Sequence, residues 1–236
     1  MSFTAQTGGP NRLLASLPPE DEAYLASISR LSHPSRGQAL TGRSTPGSDV
    51  WFPHTGVVAL TATDSAGRSV QTGIVGHDGC IGLELAFDTI TAPPEASVQI
   101  EGSMSVIPAS QLRSALTERP LIQEALSRFL YGLAAQSMQT IACNRLHSLP
   151  ARCCRWLLTF QDRAASDDLP LTQENLATLL GHGRPRVNRL LAGLEKDGLV
   201  RRYRGRIRLL NRSGLEKRTC DCYRVVRHIS ASLDLL

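Results

Sequence analysis

The chain has 236 residues, a formal net charge of +5 and 42% hydrophobic residues, a length with room for two domains that each bury their own core. No apolar run approaches the roughly 18–20 residues that cross a bilayer, which excludes a spanning helix from the expectation. The opening MSFTAQTGGPN has neither a basic start nor an apolar stretch, so no secretion signal is expected and the location reads as cytoplasmic.

Residues 1–10 read as a flexible tail. Residues 11–33 have the pattern of short helices, with Pro18-Pro19-Glu20-Asp21 as a favourable helix start. From about 36 to 108 the chain turns to short strands separated by Gly, Pro, Asp and Ser turns such as Asp64-Ser65-Ala66-Gly67. The candidates are 50–52, 56–62, 70–75, 96–100 and 104–108, and that many short strands at such spacing predict a small barrel or jelly roll. Between 109 and 146 Leu112, Leu116, Leu121, Ile122, Leu126, Phe129, Leu133, Met138 and Ile141 recur at helical spacing, with Pro120 breaking the stretch near its start. The remaining helix, roughly 25 residues long, is too long and too apolar for a small barrel to cover. A seam of coiled-coil type against a second copy would bury it, so a parallel homodimer is expected.

Residues 172–200, TQENLATLLGHGRPRVNRLLAGLEKDGLV, have the layout of a helix-turn-helix. In a frame starting at Gln173, Ala177 is the small residue that lets two helices approach, and Gly181 takes the turn that needs positive φ. Val187 anchors the second helix, and Leu176, Leu180, Leu190, Leu191 and Leu194 fill the inward positions. Arg184, Arg186, Asn188 and Arg189 are left pointing outward, and these are side chains that can reach guanine or adenine edges in a major groove. After Leu199-Val200 comes an arginine-rich hairpin turning at Arg204-Gly205, a wing whose Arg204 and Arg206 would lie beside phosphates.

The charge is partitioned accordingly. Residues 1–170 hold 12 Lys+Arg and 15 Asp+Glu, a net of −3, whereas residues 171–236 hold 14 and 6, a net of +8, and the two sum to +5. A mildly acidic body with a strongly basic end is the footprint of a nucleic-acid module on a regulatory domain. A membrane surface is the competing partner for a basic region, but these arginines lack an aromatic-rich amphipathic face. Six cysteines (Cys80, Cys143, Cys153, Cys154, Cys220 and Cys222) form no CxxC pair and no zinc-finger spacing, so buried, reduced thiols are expected. Cys220 and Cys222, with His228 downstream, would face different sides of a helical tail, so neither a metal site nor a cofactor is expected.

A β-roll, a long helix and a winged helix-turn-helix in this order resemble the Crp/Fnr family of bacterial transcription regulators. The residues that carry the resemblance are Asn144 to Leu158, Leu171 to Ala177, and Leu199-Val200 with the wing behind it. The segment from Cys220 to Arg227 is similar to an extension found in one branch of that family. The resemblance implies an α+β chain in four parts: a tail at 1–10, a cyclic-nucleotide-binding-like β-roll at 11–118, a dimerisation helix at 119–146 and a winged helix-turn-helix at 147–236. It also implies double-stranded DNA and RNA polymerase as partners, and a DNA-facing set of Thr172, Gln173, Arg184, Pro185, Arg186, Asn188, Arg189, Arg204 and Arg206. Arg184, Pro185 and Arg189 fall where the family reads bases with an Arg-Glu-x-x-x-Arg pattern. Proline stands here for the glutamate, so the preferred operator is expected to differ.

The family's cyclic-nucleotide binders hold the ribose-phosphate with a Gly-Glu pair and an Arg-Ser/Thr pair. The corresponding stretch, 79–84 through 94–97, keeps the glycines but has Glu95 near the arginine's place, so control by cyclic AMP is not expected. The family's iron–sulfur members use several N-terminal cysteines, and this chain has none before Cys80. His77 reads as a turn residue, not a haem ligand, and the effector is left open. Two rival classes fit the sequence less well. A metal-dependent jelly-roll enzyme would need more than His54, His77 and Glu84. A sensing or scaffolding protein that has lost DNA binding would not need the arginines of helix and wing.

Overall fold

The computed structural model describes residues 9–42, 48–67, 69–87 and 95–232. The chain starts with helices α1 (Arg12–Ala15) and α2 (Pro19–Ser27) and strands β1 (Arg30–Ser32) and β2 (Ala39–Thr41). Strands β3 (Asp49–Pro53), β4 (Val57–Thr63), β5 (Ser69–Val75), β6 (Glu95–Ile100) and β7 (Met104–Pro108) follow. Next come helices α3 (Ala109–Glu118), α4 (Pro120–Leu146) and α5 (Leu149–Ala164), and then strand β8 (Asp168–Leu169). The chain ends with α6 (Gln173–Leu180), α7 (Arg184–Lys196), β9 (Val200–Tyr203), β10 (Arg206–Leu209), α8 (Arg212–Arg218) and α9 (Cys222–Ser232).

Two antiparallel sheets, in the orders β1-β7-β3 and β2-β6-β4-β5, share one apolar core built from Leu40, Val50, Phe52, Val58, Leu60, Val98, Met104 and Val106. This is the expected roll, and α3 and the first half of α4 close it with Leu112, Ile122, Leu126 and Phe129. The approach is close: a Cβ on Gly79 would lie 2.1 Å from the Phe129 ring, so only glycine fits that loop. Of the expected tail, residues 1–8 lie outside the described residues. Asn11 is fully buried, caps α1 by accepting from the Leu14 N–H, and donates to Pro53 O and Gly79 O.

The five expected strands are present: three are extended by a residue or two, 56–62 is shifted to 57–63 and 104–108 is unchanged, and Pro120 opens α4. The stretch expected to be short helices also contains β1, and β2 joins the second sheet. The first four residues of strand β4, 57–60, are buried on both faces. Val58 and Leu60 point into the roll, while Val57 and Ala59, with Ile74 of β5, enter a second core filled by Trp156, Leu157, Phe160, Leu176 and Leu180. A strand covered on both sides reads as a continuous apolar run instead of an alternating one, which is the character of 56–62. The second core therefore seats α5 and α6 directly on the outer face of the roll. A third antiparallel sheet, in the order β8-β10-β9, forms the wing. No helix among the described residues is long and apolar enough to cross a membrane.

Candidate nucleic-acid interface

Helix α6 starts at Thr172, whose side chain accepts from the Asn175 N–H at 3.1 Å while Asn175 Oδ1 accepts from the Thr172 N–H at 3.0 Å. This reciprocal capping box fixes the entry angle of the helix. Gly181 ends it in the left-handed region at φ 66, and α7 begins directly after Gly183 with Pro185 in its first turn. Proline costs nothing there, because its missing N–H would have had no partner inside the helix. Ala177 and Val187 are buried between the two helices together with Leu176, Leu180, Leu191 and Leu194, and Leu190 is partly covered.

The opposite face of α7 is open: Arg184, Pro185, Arg186, Asn188 and Arg189 are all exposed. Arg184 is ion-paired with Glu174 of α6. Asn188 accepts from Arg202 of β9 at 2.8 Å, and Arg202 also pairs with Glu195 at 2.7 Å. The Arg202 backbone N–H and guanidinium together hold the Glu195 carboxyl below its ordinary range. In the wing Arg206 pairs with Asp168 at 2.9 Å and stacks over Tyr203, while Arg201, Arg204 and Arg208 are exposed. A cleft of about 300 Å³ opens between the start of α6, Arg184 and the wing turn. Exposed pairs of this kind contribute roughly 0–1 kcal/mol, so phosphates can displace the carboxylates at little cost. Gln173 is exposed beside this cleft, whereas the Thr172 side chain is committed to the helix cap.

Sequence reasoning missed how the module is held. The capping residue Asn175 also accepts from Arg36 at 2.7 Å and donates to Gln99 Oε1 at 3.0 Å, both on the roll. Arg163 of α5 makes a buried ion pair with Asp78 at 2.9 Å, and its carbonyl meets the His77 ring at 3.2 Å. The nature of residues 36, 78 and 99 gives no sign of these partners, because each lies 76 to 139 positions away in the chain.

The side chains weighed for an enzyme site do not converge. His54 is buried and held by Asn11 and Ser105, and His77 faces the Arg163 carbonyl. Among the described residues one group of three or more potential metal ligands comes together, and it is elsewhere: Cys143, His147, Cys220 and Cys222. The expectation that Cys220 and Cys222 face apart is corrected here. Cys220 precedes α9 and Cys222 is its first residue, so helical periodicity does not separate the two thiols. His228 is exposed and does not join them. Cys80, Cys153 and Cys154 are the buried, inert thiols expected, with burial pushing each pKa up.

A β-roll carrying a long helix and a winged helix-turn-helix whose arginine face is open to solvent defines a class of DNA-binding regulators. Residues 151–218 match the family described as the Crp-like helix-turn-helix domain. A curated relative, the CRP-like cAMP-activated global transcriptional regulator of Mycobacterium tuberculosis, is 26% identical over 173 residues, which span 70% of this chain and 77% of that protein. The fold is similar to that of FixK2 from Bradyrhizobium japonicum, with a TM-score of 0.68 at 18% identity over 82% of this chain and 98% of that one. It is also similar to a CRP/FNR-family transcriptional regulator of Thermus thermophilus, with a TM-score of 0.66 at 21% identity over 80% and 97% of the two chains. Residues 151–218 thus form a Crp-like helix-turn-helix domain, and the chain over most of its length is similar to CRP-like transcriptional regulators.

Proposed function

We propose that the chain is a homodimeric, sequence-specific regulator that binds a near-palindromic duplex. Arg184, Pro185, Arg186, Asn188 and Arg189 of α7 face the bases, Thr172 and Gln173 stand at the entry of α6, and Arg204 and Arg206 of the wing meet phosphates. The observation that carries this reading is the continuous exposed cationic surface of α7 and the wing. Bidentate arginine contacts to guanine would specify sequence, and the wing contacts would set register. With Pro185 in place of a carboxylate there is no acceptor for a cytosine amino group, so the preferred site departs from the family's common one.

The dimer reading rests on α4. Tyr131, Ala134, Met138 and Ile141 form an exposed stripe at the 3-4-3 spacing of a coiled-coil seam, with Tyr131 71%, Met138 63% and Ile141 69% exposed. Residues 11–118 then act as the sensor, 119–146 as the dimer helix and 147–236 as the DNA-binding unit. The exposed surface of the bound dimer would meet RNA polymerase. Cyclic AMP is not the trigger on this reading. Glu95 holds a carboxylate at the start of β6, accepting from the Thr63 hydroxyl at 2.9 Å, and a negative charge there opposes a cyclic phosphate. Pro94 of the same stretch lies outside the described residues.

Selection of bound duplexes from a random library with ligand-free protein tests the proposal. An enriched inverted repeat with half-sites one helical turn, about 34 Å, apart supports it. Absence of enrichment, or enrichment only with cyclic AMP, overturns it. Binding should fall steeply with salt, and Arg204→Ala should reduce that slope by about one unit on every sequence.

A further inference from the structure

Cys143 lies in the last turn of α4, and His147 four residues on is that helix's C-cap, so both present ligand atoms on the same face. The segment that follows α8 brings Cys220 and Cys222 against that face. Cys143 Sγ is 3.5 Å from Cys220 Sγ, Cys222 Sγ is 3.4 Å from His147 Nδ1, and all four ligand atoms lie within 4.8 Å of one another. A tetrahedral zinc ion bound at about 2.3 Å to sulfur and 2.0–2.1 Å to nitrogen spaces its ligands by roughly 3.7 Å, so the four atoms need only small shifts to enclose one. A cluster of several iron atoms would hold its thiolates further apart. Three Cys and one His is a ligand set of closed, structural zinc sites.

A second, independent observation points to the same ligand. Arg155 of α5 is 1% exposed, and its Nε and Nη2 have no hydrogen-bond partner. Arg152, one turn earlier, is 7% exposed with an equally unpartnered Nε. Neither is paired with a carboxylate among the described residues. A buried guanidinium without an anion is costly. The groups that act electrostatically on Arg155 are Cys143, Cys220 and Cys222. Three thiolates and a neutral imidazole around a divalent cation carry a net charge of −1, which balances Arg155. Gln139 also donates to Cys222 Sγ at 3.0 Å, the outer-shell support that metal thiolates recruit.

We infer that Cys143, His147, Cys220 and Cys222 bind a single zinc ion that ties the end of the dimer helix to the C-terminal extension. Binding displaces the thiol protons to solvent and leaves no coordination position open, so the site is structural, not catalytic. It adds a second connection between α4 and the DNA-binding unit, beside the short linker at His147 and Ser148. The inference stands whether or not the proposed operator exists.

The test is metal analysis of the full-length protein purified anaerobically with zinc and then dialysed against a competing chelator. About one zinc per chain is expected to remain. Replacement by cobalt should give the intense visible bands of a tetrahedral site and a thiolate charge-transfer band. Cys222→Ser and the less buried His147→Ala should each lose the retained metal while keeping the far-UV circular dichroism of the parent. Cys80→Ala, far from the site, should keep the metal. Metal-free protein after reconstitution, unchanged retention in both ligand variants, or a Cys143–Cys220 disulfide found in place of metal would overturn the inference.

Discussion

At the scale of single residues the proposed reading face follows from which arginines are held and which are not. Arg184 and Arg206 lean on Glu174 and Asp168, whereas Arg186 and Arg189 extend into solvent from the exposed side of α7. Arg189→Ala should therefore cost about 1–3 kcal/mol on the preferred duplex and much less on a duplex altered at its cognate base pair, as measured by competition binding. Equal losses on both duplexes would contradict a base-reading role. His54 marks the roll's response to acid. Its Nδ1 accepts from the Asn11 N–H, its Nε2 lies 2.7 Å from Ser105 Oγ, and burial lowers its pKa to about 4. The unfolded chain binds this proton at a higher pH than the folded one. Stability is thus complete above about pH 6.5 and declines as pH falls towards 4, and His54→Gln should flatten that part of a urea-denaturation pH series. The arginine face was legible in the sequence because helical period and turn residue are local signals. The His54 environment was not, since Asn11 and Ser105 lie 43 and 51 positions away.

At the scale of elements α4 has two working faces. Ile122, Leu126 and Phe129 enter the roll, while Tyr131, Ala134, Met138 and Ile141 look outward. Met138→Glu should weaken association at least about 100-fold, because each of two facing carboxylates costs about 1.4 kcal/mol or more in an apolar seam. Sedimentation equilibrium reads this directly, and an unchanged dimer would place the interface elsewhere. The helix was legible through its apolar recurrence and Pro120, and the wing through its turn at Arg204-Gly205. The strands β1, β2 and β8 were not, because two or three residues are too few to show an alternation. Their pairing partners, β7, β6 and β10, supply the order that their own sequence does not.

At the scale of the molecule the DNA-binding unit is seated on the roll through a shared apolar core and the Asp78–Arg163 pair, in which both side chains are less than a tenth exposed. Removing one charge from such a pair strands the other, so Asp78→Asn should destabilise the chain by about 3–5 kcal/mol in equilibrium unfolding. A change below about 1 kcal/mol would mean that water reaches Arg163 and that the seat is loose. The convergence of Cys143 with Cys220 was hidden from the sequence by the 77 positions between them. The cap of α6 carries a further meaning. Asn175 depends on Arg36 and Gln99 of the roll as well as on Thr172. Changes at these two half-buried positions of the roll can therefore shift the footing of the helix-turn-helix. On the proposed function, a substitution at position 36 or 99 would alter DNA binding while every residue proposed to face the duplex stays the same.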